Sequence, residues 1–102
     1  MVTIIIKKEN KNIKEIIVSG HTQNILCAAL STLLPATINY IFLLEEDTVD
    51  YVDDNDILTI KVLIETKYNQ MFLKQMLQMI KDMQEMYPQE IVIKEESKWL
   101  VK

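Results

Sequence analysis

One thiol and one imidazole, each the only one of its kind in 102 residues, lie six positions apart at Cys27 and His21. A β-branched run over residues 13–18 precedes them and reads as a strand, and an apolar segment follows them and reads as a helix. The histidine therefore falls at a strand end, directly after the single glycine, Gly20, and the cysteine falls near a helix start. In the first turn of a helix, free backbone N–H groups and the positive end of the dipole favour the thiolate over the thiol. An imidazole within reach could take the thiol proton, the usual way of activating a cysteine nucleophile. A spacing of six does not place two side chains on one helix face. The pair can meet only if the chain turns between them, and Gly20 and Thr22-Gln23-Asn24 are suitable turn residues. Asn24 is also a candidate N-cap, which would make Cys27 the third helical residue. Against this stands the plainer chemistry: a lone cysteine in an apolar helix is usually a small core residue, and a lone histidine is usually a polar surface or hydrogen-bonded one. Spacing alone leaves both open.

The elements that must position this pair follow from pattern. Residues 2–7 and 13–19 are rich in isoleucine and valine around the polar turn 8–12, so they read as a hairpin. Both contain consecutive apolar residues (Ile4-Ile5-Ile6 and Ile16-Ile17-Val18), which suggests a sheet covered in part on both faces. The first helix is expected over about residues 25–44. It is apolar nearly all round, which in so small a domain points to a subunit interface, and Pro35 inside it should kink or split it. Residues 48–52 and 57–65 read as two strands joined at Asp53-Asp54-Asn55-Asp56. Residues 67–86 carry a helical stripe of Phe72, Met76, Leu77, Ile80 and Met83, ended by Pro88, with methionines serving as adaptable core. Residues 91–94 are a strand, and 98–101 are a further edge-strand candidate. The order ββαββαβ predicts a single α+β domain over residues 1–102, a two-layer sandwich with two helices on one face of a mostly antiparallel sheet.

Composition narrows the function classes. The chain is 49% hydrophobic and 25% charged, ordinary for a globular domain. Its net charge is −4 and all 11 basic residues are lysine, which argues against nucleic-acid binding, where bidentate arginine contacts dominate. One cysteine cannot form an internal disulfide, which fits a reducing cytoplasm. One histidine plus one cysteine are too few for a zinc site, and no cofactor is expected. No signal segment and no apolar run of transmembrane length is expected, so no membrane partner is either. Seven of the 15 acids lie between Glu45 and Asp56. They read first as a solvated edge that discourages strand pairing, and second as an attraction for a basic substrate.

Gly20-His21 followed by Ile25-Leu26-Cys27-Ala28-Ala29-Leu30-Ser31 resembles the core motif of the ribosomal-processing cysteine protease family, Prp. The acidic turn before Ile57-Leu58-Thr59-Ile60 and the late Tyr87-Pro88-Gln89-Glu90-Ile91 extend the likeness along most of the chain. The resemblance implies a small α/β homodimer in the cytoplasm that removes the N-terminal extension of a large-subunit ribosomal protein precursor. It implies Cys27 as nucleophile, His21 as base, and Gly20, Asn24 and Ser31 as supporting residues. Two departures stand out. The family's glycine-containing loop between histidine and cysteine is cut to residues 22–26, and its aspartate three residues before the cysteine is here Asn24. An alternative in a different class is a non-catalytic, dimeric, ribosome-associated binding module with the same fold.

Overall fold

The computed structural model describes residues 1–99. Its elements are β1 (Val2–Glu9), β2 (Asn12–Gly20), α1 (Asn24–Leu44), β3 (Val49–Asp54), β4 (Ile57–Val62), α2 (Lys67–Met86) and β5 (Ile91–Lys98). The five strands form one sheet in the order β3-β4-β2-β1-β5. Neighbours are antiparallel except β1 and β5, which run parallel. This is the expected ββαββαβ sandwich.

Both hairpins close on two residues with positive φ, Asn10-Lys11 and Asn55-Asp56. These are type I′ turns, whose twist suits the flanking strands. The consecutive isoleucines of β1 separate by the period of two, and in β2 a bulge opposite Lys7-Lys8 lets Ile13 and Ile16, three residues apart, reach the same face. Val2, Ile4, Ile6, Ile13 and Ile16 are buried under the helices, whereas Ile5 and Ile17 pair with each other on the opposite, half-exposed face. One face is therefore covered, not two.

α1 contributes Leu26, Leu30, Leu34, Ile38 and Ile41 to the core, and α2 adds Leu73, Met76, Leu77 and Ile80. Spacings of three and four put each set on one stripe. Pro35 lies inside an unbroken α1 instead of splitting it. Its missing N–H leaves the Ser31 carbonyl without the usual partner four residues on. By length and composition α1 is long and apolar enough to cross a membrane, against the sequence expectation; in the fold one stripe of it packs into the core.

The start of α2 is pinned by a reciprocal cap. The Asn69 backbone N–H donates to the Thr66 hydroxyl at 3.1 Å, and the Thr66 N–H donates to Asn69 Oδ1 at 3.2 Å. The buried Gln70 side chain accepts from the Ile13 N–H at 2.7 Å and donates to the Ile13 carbonyl at 2.9 Å. These bonds lock α2 to β2. α2 carries the chain back across the sheet, so β5 lands beside β1 and parallel to it. β5 runs on to Lys98, further than the apolar residues 91–94 suggest. The separate edge strand expected at 98–101 is not formed at Lys98, which belongs to β5; residues 100–101 lie outside the described residues.

Candidate active site

His21, Cys27 and Ser31 meet at one end of the sheet. The register shows why. Gly20, the last residue of β2, pairs with Val2, and Val2 pairs with Ile91. On the other side Ser19 pairs with Ile57, the first residue of β4. The end of β2 and the starts of β1, β4 and β5 therefore share one edge of the domain, and α1 begins there after a short connection. Gly20 has φ +93, and a Cβ at this position would collide with the Met1 carbonyl oxygen. Glycine is thus required for β2 to turn sharply while staying against β1.

The connection ends on Gln23, which is the N-cap, with extended backbone (φ −60, ψ 153) and no side-chain capping bond. The sequence expectation of Asn24 as N-cap is corrected by one residue: Asn24 already opens the helix, so Cys27 is its fourth residue, not its third. The physical consequence is specific. The amides of Leu26 and Cys27 both donate to the Gln23 carbonyl, at 3.1 and 3.0 Å. Within α1 the amides of Asn24 and Ile25 have no carbonyl to reach and remain the donors at this helix end.

The Cys27 side chain is half-buried, and its thiol donates to the Thr22 carbonyl at 3.3 Å. Thr22 is held in turn by Glu90, whose carboxylate accepts from the Thr22 hydroxyl at 2.6 Å. His21 points outward, with Nε2 3.4 Å from Asp56 Oδ2 and both side chains 74% exposed. The imidazole and the thiol nonetheless line one cavity of about 330 Å³, floored by Leu30, Leu34 and Leu58. Ser31, one helical turn beyond Cys27, and Pro35 line the same wall. Tyr51 and Asp53 from β3 close the opposite side. Burial, reinforced by the Asp53 charge, pushes the Tyr51 phenol above its ordinary value, so it stays a protonated donor at neutral pH.

All five residues singled out from sequence therefore cluster near this sheet end, with Asn24 at the helix start. Sequence reasoning missed Thr22 and Glu90 as anchors and Asp56 as the partner of His21. The acidic turn was visible, but its proximity to His21 depends on the β2–β4 pairing, a non-local fact. Among the described residues, no three His, Cys, Asp or Glu side chains gather to hold a metal ion. The cavity offers a thiol, an imidazole and a carboxylate beside that imidazole, and the thiol sits in the first turns of a helix whose leading amides have no carbonyl partner within it. Such a set suits acyl transfer from a peptide carbonyl.

Comparison with known proteins agrees. The model of the family "Cysteine protease Prp" matches residues 1–92. No curated protein matches the chain. The fold superposes on an essential ribosomal processing protease Prp from Staphylococcus aureus in complex with a covalently linked product peptide, with TM-score 0.83 and 23% identity over 94% of this chain and 100% of that one. The same protease in complex with a substrate peptide gives TM-score 0.81 at 21% identity, covering 94% of this chain and 100% of that one. SMU.848 from Streptococcus mutans gives TM-score 0.81 at 21% identity, covering 96% of each chain. With the family matched from the first strand into β5, and the thiol and imidazole of its motif brought to one cavity, this chain belongs to the Prp family of cysteine proteases.

Proposed function

We propose that this chain is an endopeptidase that removes the N-terminal extension of a large-subunit ribosomal protein, with Cys27 as nucleophile and His21 as base. The observation that carries the reading is the shared cavity: a thiol at a helix N-terminus and the only imidazole face one space large enough for peptide side chains. The Staphylococcus aureus relative is described as a ribosomal processing protease, which supplies the substrate class.

The steps follow from the groups present. His21 takes the Cys27 proton, and the sulfur attacks the scissile carbonyl carbon. The oxygen of the tetrahedral intermediate gains negative charge beside the Asn24 and Ile25 amides. The C–N bond breaks, the His21 imidazolium gives its proton to the departing amine, and a thioester remains on Cys27. Water, deprotonated by His21, then attacks the thioester; the carboxylate leaves and the thiol is restored. In the resting protein the thiol donates to the Thr22 carbonyl. That bond must open as the proton passes to His21. The loop shortened to residues 22–26 is the feature favouring a non-catalytic binding module, and this resting contact adds to it.

The active unit is proposed to be a cytoplasmic homodimer. Tyr40, Leu43 and Leu44 at the end of α1 are exposed, as are Ile64, Tyr68 and Met71 around the start of α2. The two ends are neighbours: Tyr40 stacks on Phe72 with centroids 6.2 Å apart, and the Thr66 hydroxyl donates to Glu45 at 2.5 Å. Exposed apolar residues gathered at this end of the domain support the reading of a protein interface.

The test is cleavage of a peptide spanning the extension of the same organism's ribosomal protein. The wild type should cut it once, and Cys27→Ala and His21→Ala should not. Equal inertness of the wild type and Cys27→Ala would favour the binding module.

A further inference from the structure

We propose that Asp56 is the positioning residue for His21. This rests on the protease reading above and adds to it a third member that the chain supplies from the β3–β4 turn. The motif position three residues before the cysteine is Asn24, an uncharged residue that opens α1. The carboxylate beside the imidazole comes instead from across the sheet. β3 and β4 pair up to Asp54 and Ile57, so Asn55 and Asp56 form a two-residue turn with φ +48 and +66. Because Ile57 also pairs with Ser19 of β2, this tight turn sets Asp56 beside the segment that leaves β2 through Gly20 to His21. The carboxylate reaches Nε2 at 3.4 Å, and both residues line the cavity that holds Cys27.

Which nitrogen Asp56 contacts decides the chemistry. A carboxylate on the Nε2 side favours the tautomer with its proton there, leaving the Nδ1 lone pair to receive the thiol proton. Once that proton arrives, Asp56 faces an imidazolium and opposes its drift from the thiolate. Asp56 orients the ring and moves no proton. In the free protein the pair is exposed and the contact long. A bound peptide that covers the cavity excludes water and strengthens it, as catalytic hydrogen bonds commonly tighten on substrate binding.

The test uses two variants chosen for the left-handed turn. Asp56→Gly suits that backbone and removes the acceptor; Asp56→Asn suits it equally and keeps an uncharged one. The expected result for Asp56→Gly is a kcat lower by about tenfold with KM unchanged, and Asp56→Asn recovers part of the loss. A second readout needs no substrate. The chain has one histidine, so its ¹⁵N imidazole resonances are unambiguous. The wild type should show more of the Nε2-protonated form than Asp56→Gly. Wild-type kcat together with a wild-type imidazole spectrum in Asp56→Gly overturns the proposal while leaving the protease reading intact. If the wild type cuts no peptide, the protease reading fails and the assignment of a catalytic role to Asp56 falls with it; the spectrum then reports the contact alone.

Discussion

The Thr22 hydroxyl donates to the Glu90 carboxylate at 2.6 Å, across 68 positions of sequence. Through it the residue just before β5 fixes the connection whose carbonyl receives the Cys27 thiol. Glu90→Ala and Thr22→Val should each cost about 1 kcal/mol in urea unfolding, the usual net worth of such a bond. In the double variant the losses should not add, because both remove the same contact. Each should also lower the cleavage rate, since the connection carries His21 into the site. Strict additivity in a double-mutant cycle would show that the contact is absent in solution.

Gly20→Ala should be the most damaging single-methyl change at this end of the fold. It places a side chain at φ +93 and drives its Cβ into the Met1 carbonyl oxygen. A loss of roughly 2 kcal/mol or more is expected, read as a fall in thermal midpoint, because backbone rather than a pliant side chain must move. An unchanged midpoint would mean that β1 does not hold this register beside Gly20.

The elements themselves were legible. The β-branched runs over residues 2–7 and 13–19 announce two strands, and Leu26, Leu30, Leu34, Ile38 and Ile41 announce a helix, because they repeat at three and four. His21 and Cys27 were legible because each is unique and sits at an element boundary. What could not be read is which strands lie side by side. The pairing of Ser19 with Ile57 brings Asp56 to His21, and the pairing of Val2 with Ile91 brings Glu90 to Thr22. Both contacts join residues far apart in the chain, and no local propensity encodes them. The helix start was displaced by one residue because Asn24 has the side chain of a cap, whereas the extended backbone falls at Gln23.

The apolar end of α1 predicts self-association. Light scattering should give about twice the 12.0 kDa chain mass at micromolar concentration. Leu43 is 82% exposed in the single chain. Leu43→Glu should therefore leave the monomer's fold intact, with unchanged far-UV circular dichroism, while shifting the mass to one chain. A wild type that scatters as a monomer would contradict the interface.

A pH dependence follows from the end of the sheet away from the site, where Glu95 pairs with Ile6. Glu95 accepts a 2.5 Å bond from Lys8, and that bond holds its carboxyl below the ordinary value. The folded chain thus takes up this proton less readily than the unfolded one. The contribution is fully present above the unfolded carboxylate pKa and is lost as pH falls through the folded value. The pair is partly exposed, so the effect should be a few tenths of a kcal/mol. Wild type should exceed Glu95→Gln in urea midpoint at neutral pH, and the gap should close in acid. A gap that is constant across pH would assign the difference to packing.

The most direct measurement of the central claim is the mass of the protein itself, quenched in acid during turnover of the ribosomal-protein extension peptide. Nucleophilic attack by Cys27 predicts a transient species heavier by the acyl portion of the peptide, located at Cys27 by fragmentation and missing in Cys27→Ala. Peptide cleavage that proceeds equally in Cys27→Ala, with no acylated species at any time, would contradict the account.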